Sequence, residues 1–266
     1  MGTRQPLLRG AHPARSVGRV GVGVNLGAAG RCLGSAAQYP LRKLSRHPGA
    51  FPARTTATSP ARLSRATNLA AWLAVQGCDV LLVDTDVQRT AANWVDRRHL
   101  LSNVPAVHCA ERRGNVFHAL RDLAKRYEQV IVDAGGRDSE ELRTALVAAH
   151  QVYVPLRASQ PDLETSLHMN ELVTLAHGMN PTLEARVLIS MAPTNPSVKE
   201  AVDARELLQE LSALLPSAVT ISERKVYRDA MTEGRGACEL DNDKARAEIA
   251  ALAGEIYGDT HGEIQP

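Results

Sequence analysis

The chain has 266 residues, 44% of them hydrophobic and 23% charged, with a net charge of +2, so it can bury a sizeable core and has the composition of a globular protein. No run approaches the roughly 20 consecutive apolar residues of a membrane-spanning helix, which argues against an integral membrane protein and leaves no membrane partner expected. Cys32, Cys78, Cys109 and Cys238 are scattered, with no C-x-x-C pair and no His at ligand spacing, so neither a zinc site nor a disulfide framework is signalled and a reduced, cytoplasmic setting is expected.

The near-neutral total conceals an asymmetry. Residues 1–65 hold eleven Lys and Arg and no acid, leaving 20 of the 31 basic residues and all 29 acidic ones to residues 66–266. The first segment is rich in Arg, Gly, Ala, Pro and Ser and has few apolar anchors, so residues 1–60 are expected to be disordered or aberrant. A shifted reading frame or mistaken start gives this texture, as does an organelle transit peptide. The stretch "GVGVNLGAAG" from Gly21 misses G-x-G-x-x-G by one residue and reads as a bland loop with no strand before it.

From Ala66 the texture becomes one of alternating helices and short apolar runs, the pattern of a doubly wound parallel sheet covered by helices. Residues 61–258 are expected to form one α/β domain, followed by a tail at 259–266. Leu69, Trp72 and Leu73 form a helical stripe that Gly77 stops, and Val80 to Val83 reads as a strand buried on both faces. Further strands are expected at 106–109, 130–132, 152–154, 187–189 and 218–221. Helices are expected near 115–126, 139–149, 162–177, 197–213, 224–233 and 243–257. Asp138 with Glu141, and Ser159 with Asp162, stand at capping spacing. Trp72 and Trp94 read as packing residues, Cys238 as a small buried one, and His108 and His118 are assigned no chemistry.

In an open parallel sheet, ligands sit beyond the carboxyl ends of the strands. There "VLLVDTDVQ" ends in Asp84 and Asp86, "QVIVDAGG" ends in Asp133 beside Gly135 and Gly136, and "VYVPL" contains Pro155. One strand-end aspartate is readily explained as a helix cap. Two on separate strands point to a magnesium ion held against nucleotide phosphates.

At these residues the chain resembles the ParA/MinD family of deviant Walker-type ATPases, and within it the small ParF/IncC-like plasmid partition proteins. The resemblance runs from about Ala66 to Gly258 and is carried by "ATNLAAWLAVQGCDVLLVDTDVQRTAANW", "YEQVIVDAGGRDS", "VYVPLRASQPDLE" and "ERKVYRDAMTEGRGACE". It implies a P-loop NTPase-like fold, ATP and Mg2+ as cofactors, and a homodimer that holds DNA non-specifically until hydrolysis, stimulated by a centromere-binding partner protein, releases it. It gives Asp86 the role of positioning the attacking water. Asp84 would sit in the magnesium network, Asp133 would be the Walker B aspartate, and Pro155 would lie along the nucleotide pocket. Val87 stands where the family has proline. The family's late helix matches the segment around Arg224, Tyr227 and Ala230, where Arg224, Lys225 and Arg228 form a small basic cluster that could touch DNA or simply be solvated. Partition on the nucleoid is expected rather than MinD-like membrane positioning, because "GDTHGEIQP" offers no amphipathic C-terminal helix.

One element of the family pattern is missing. Its phosphate loop, K-G-G-x-G-K-[ST]-[ST], leads into the helix that here begins near "ATNLA", and the chain offers "ATSPARLSR" at that place. Arg62 falls near the lysine position and Ser64 near the hydroxyl, but the glycines are absent and Pro60 removes a donor. Losing several charge-assisted contacts of about 1.5–3 kcal/mol each argues against tight ATP binding. The alternative expectation is therefore a catalytically dead relative that acts as a binding or scaffold protein.

Overall fold

Apolar runs such as Val80 to Val83 become strands only if both of their faces are covered, and the two faces here are covered by different helices. A computed structural model describes residues 19–24, 53–54, 65–135, 138–157, 160–195, 204, 206 and 208–258. The strands are β1 (Arg19–Val24), β2 (Ala53–Arg54), β3 (Val80–Asp84), β4 (His108–Glu111), β5 (Gln129–Ala134), β6 (Gln151–Leu156), β7 (Glu184–Ala192) and β8 (Leu215–Ser222). They form one sheet in the order β4-β3-β5-β1-β2-β6-β7-β8, with every pairing parallel. The helices are α1 (Arg65–Val75), α2 (Thr90–Arg98), α3 (Phe117–Leu123), α4 (Glu140–Ala148), α5 (Gln160–His177), α6 (Lys225–Glu233) and α7 (Asp243–Tyr257).

Alternate residues of each strand serve opposite layers. Leu81, Val83, Val130, Val132, Val152 and Val154 pack with Leu120, Leu142, Leu146 and Val173 of α3, α4 and α5. Val80, Leu82, Ile131, Tyr153 and Leu188 pack with Leu69 and Leu73 of α1, Trp94 of α2, Tyr227 of α6 and Ile249 and Leu252 of α7. The strands are continuous apolar runs for that reason.

The strands and helices expected after Ala66 occur where the sequence places them, with small displacements. The strand expected at 106–109 runs two residues later. Of the helix expected at 197–213, Ala204, Glu206 and Leu208 are helical, with Ala204 and Leu208 buried and Glu206 exposed, residues 209–213 have left the helix, and the rest lie outside the described residues. The cap of α4 is Ser139, whose side chain accepts from the Leu142 amide, rather than the Asp138–Glu141 pair. Asp138 instead binds Arg143, and Glu141 accepts from the Gly114 amide at 2.7 Å. Ser159, Arg62 and Ser64 lie outside the described residues.

One expectation fails outright. The stretch from Gly21 read as a loop supplies the last four residues of β1, which lies in the middle of the sheet and pairs in register with β5 on one side and with β2 and β6 on the other. The segment taken as strandless thus contains a central strand. The remainder of residues 1–64, apart from β2, lies outside the described residues. Trp94 is fully buried, as expected, whereas Trp72 is only half-buried.

The C-terminal motif is stitched to α2. Gly234 ends α6 with φ +68°, in the left-handed region, and a Cβ there would lie 2.5 Å from the Arg98 nitrogen and 2.7 Å from the Arg97 carbonyl carbon. These are backbone atoms and cannot swing away. Gly234→Ala is therefore expected to lower stability by roughly 2 kcal/mol through strain and overpacking, as read from denaturant midpoints. A midpoint unchanged from the wild type would mean that this turn relaxes freely.

Candidate functional site

Strand order reverses around β1, so the crevice beyond the carboxyl ends of β5, β1 and β6 is where an α/β sheet of this kind takes its ligand. Asp84 ends β3, and Asp133 is its register partner on β5. Both occupy positions on the sheet face that carries α1 and α2, since Leu82 and Ile131, two residues earlier on each strand, pack there. Gly23 is the register partner of Asp133 on β1, and Tyr153 of β6 is the register partner of Gly23. Pro155 is buried on β6, two residues beyond that level.

The segment from Asp84 to Arg89 is bent around its own carboxylates. Asp84 is fully buried; its Oδ1 accepts from the Asp86 amide and its Oδ2 from the Ala92 amide in the first turn of α2, both at 2.9 Å. Asp86 is 9% exposed, and its Oδ1 accepts from the Gln88 amide at 2.9 Å. Arg89 closes the bend with φ 52°. The Thr85 amide and hydroxyl both donate to the Asp133 carbonyl, at 2.8 and 3.2 Å, which ties the segment to β5.

Asp133 is 2% exposed, and its Oδ1 has no hydrogen-bond partner among the described residues. Burial pushes its pKa well up, and the neighbouring Asp84 and Asp86 push it further. Asp84 is also raised, chiefly by burial, although the amides of Ala92 and Asp86 and the guanidinium of Arg113 pull the other way. Adjacent buried carboxylates, one with an idle oxygen, call for a proton or a cation. No three Asp, Glu, His or Cys side chains among the described residues gather closely enough to hold a metal alone. The arrangement suits a magnesium ion that takes one or two carboxylates and completes its shell with water and phosphate oxygens.

Sequence reasoning missed one neighbour of the carboxylates. Arg113, in the loop after β4, donates to the carbonyls of Asp84 and Asp86 at 2.9 and 2.8 Å. Its only sequence signal is the "ERRG" that closes a short strand.

The proposed DNA cluster looks different in three dimensions. Arg224 is held by Glu248 at 2.7 Å, Lys225 lies 3.5 Å from Asp229, and Arg228 lies 3.0 Å from Glu223. Each cation is answered by an acid, so the three present little net charge to a phosphate. Glu223 and Asp229 stand beside these cations in "ERKVYRD", whereas Glu248, on α7, is the acid that sequence spacing hides.

No protein-family model matches the chain, and no curated protein matches it significantly. Solved structures do. Apo McdA from Cyanothece superposes with a TM-score of 0.58 at 14% identity, covering 73% of this chain and 94% of that one. MinD from Pyrococcus horikoshii, complexed with Mg-ADP, gives a TM-score of 0.57 at 12% identity over 92% and 99% of the two chains. A plasmid partition protein from Borrelia burgdorferi bound to AMPPNP gives 0.52 at 18% identity over 71% and 91%. The chain thus has a doubly wound, P-loop NTPase-like α/β fold. Its fold is that of the ParA/MinD ATPases.

Proposed function

We propose that this chain is a ParA/MinD-type partition protein whose carboxylates Asp84 and Asp133 take a magnesium ion together with a nucleotide. The observation that carries this reading is the in-register pair Asp84–Asp133 at the strand-order reversal, with a buried Asp133 oxygen that has no partner among the described residues. When bound, the ion would neutralise phosphate charge and draw electron density from the phosphorus. Asp133 and Asp84 would hold it, directly or through water, and Asp86 would accept a proton from the water it orients. Pro155 would line the nucleotide side of the crevice. In this reading the protein acts as a homodimer, associates with the nucleoid through DNA phosphates, and is released by a centromere-binding partner protein. Residues 1–64 carry ten cations and no acid in their sequence, whereas Arg224, Lys225 and Arg228 are each paired with an acid, so the basic segment is the stronger candidate to grip DNA phosphates.

A second reading has a specific observation in its favour. The residues that lead into α1, with Pro60 and Arg62, lack the glycines and lysine of a phosphate loop. Such a chain would keep its dimer and partner surfaces without turning over ATP. Calorimetric titration of the full chain with ATP, in Mg2+ and in EDTA, separates the two readings when paired with light scattering. Magnesium-dependent binding with ATP-dependent dimerisation is expected for a partition ATPase. A dimer that forms without nucleotide and gives no binding heat supports the scaffold reading. A monomer with neither property overturns both.

A further inference from the structure

The carboxylate segment does not hold its bend unaided. Arg113 reaches it from the end of the neighbouring edge strand: its Nη1 donates to the Asp84 carbonyl at 2.9 Å and its Nη2 to the Asp86 carbonyl at 2.8 Å. One planar fork thus spans both ends of the Asp84-Thr85-Asp86 turn. Nη1 is also steadied by the Arg112 carbonyl at 2.8 Å, and Nη2 lies 3.6 Å from Glu111. Glu111 in turn accepts from Arg89 through both of its oxygens, at 2.8 and 2.6 Å. Arg89 is the left-handed residue that closes the same bend. A belt from Arg89 through Glu111 to Arg113 therefore fastens the first and last residues of the segment to β4.

We propose that Arg113 is a positioning residue: its fork on the two carbonyls sets the turn that aims the Asp86 carboxylate, and Glu111 holds the fork in place. The inference rests on the site reading above only for its consequence, since the belt itself needs no ligand. A guanidinium suits the task because its donors are coplanar and fixed in spacing. A lysine ammonium carries the same charge but cannot reproduce a rigid two-carbonyl fork. The group is 37% exposed at its side chain, so its removal leaves no cavity in the core.

The test uses the full chain with Arg113→Ala and Arg113→Lys, read by residue-resolved amide exchange without ligand and by Mn2+ titration monitored by electron paramagnetic resonance. Both variants are expected to exchange the Asp86 and Gln88 amides at least about tenfold faster than wild type, while the β5 amides and the melting temperature stay unchanged. Mn2+ affinity is expected to fall several-fold in both. Unchanged exchange in Arg113→Ala overturns the proposal, because the turn then holds itself. Wild-type behaviour in Arg113→Lys also overturns it, because charge alone then suffices. Tighter Mn2+ binding by Arg113→Ala would mean that the guanidinium merely repels the ion, and overturns it too. A wild-type chain that binds no Mn2+ counts against the metal reading of the site, while the exchange measurements still decide the role of Arg113.

Discussion

Glu239→Ala is expected to melt roughly 10 °C below the wild-type chain. Arg98, at the last turn of α2, is 1% exposed at its side chain, and Glu239 is 7% exposed. They meet through two parallel hydrogen bonds of 2.8 and 2.7 Å. The guanidinium also donates to the carbonyls of Pro105 and Gly234 and stacks 5.1 Å from the Trp94 ring centroid. The same glutamate accepts from the Gly236 amide at 2.7 Å. Truncating it leaves a guanidinium buried without its counter-charge, which costs about 3–5 kcal/mol, or a few degrees of melting temperature per kcal/mol for a domain of this size. Replacing both partners with apolar residues should cost much less than the single change, because no charge is then stranded. A loss under about 1 kcal/mol for Glu239→Ala would mean that Arg98 finds solvent. The pair matters to the site because α2 begins where the carboxylate segment ends, and the Ala92 amide of its first turn holds Asp84.

Asp133→Asn should have the opposite sign, raising stability at neutral pH by roughly 1–3 kcal/mol, the cost of a buried polar group without a partner, while removing any magnesium-dependent activity. The wild-type carboxylate is buried beside a second carboxylate, with one oxygen that has no partner among the described residues, whereas an amide carries no charge and can donate. The pH dependence follows from the raised pKa. A proton held more tightly in the fold than in the unfolded chain lends stability that is complete below the ordinary carboxylate value of about 4 and is lost as pH rises through the raised value. The advantage of Asp133→Asn is therefore expected to be absent in acid and to grow toward neutrality. Magnesium should narrow it at neutral pH by stabilising only the wild-type fold. Melting curves at several pH values, with and without Mg2+, measure all three effects. A variant less stable than wild type at neutral pH would show that the carboxylate is already satisfied.

From Ala66 onward the sequence by itself determined the strands, the helices and the parallel α/β class. Strands buried on two faces are unbroken apolar runs, and helices carry their period in single stretches such as Leu69 to Leu73. It also placed Asp84 and Asp133 at the carboxyl ends of their strands, each directly after an apolar run, with Asp86 two residues beyond Asp84. Only the tertiary structure decided that Asp84 and Asp133 are register partners, because register belongs to a pair of strands rather than to either one. Only it revealed β1: in "RVGVGV" glycine alternates with valine, a pattern with weak strand preference that becomes a strand through pairing on both sides. The Arg224–Glu248 pair, the Arg98–Glu239 lock and the Arg113 fork have the same origin. Each joins residues whose partners lie on other elements, and local pattern carries no information about which distant side chain answers a charge.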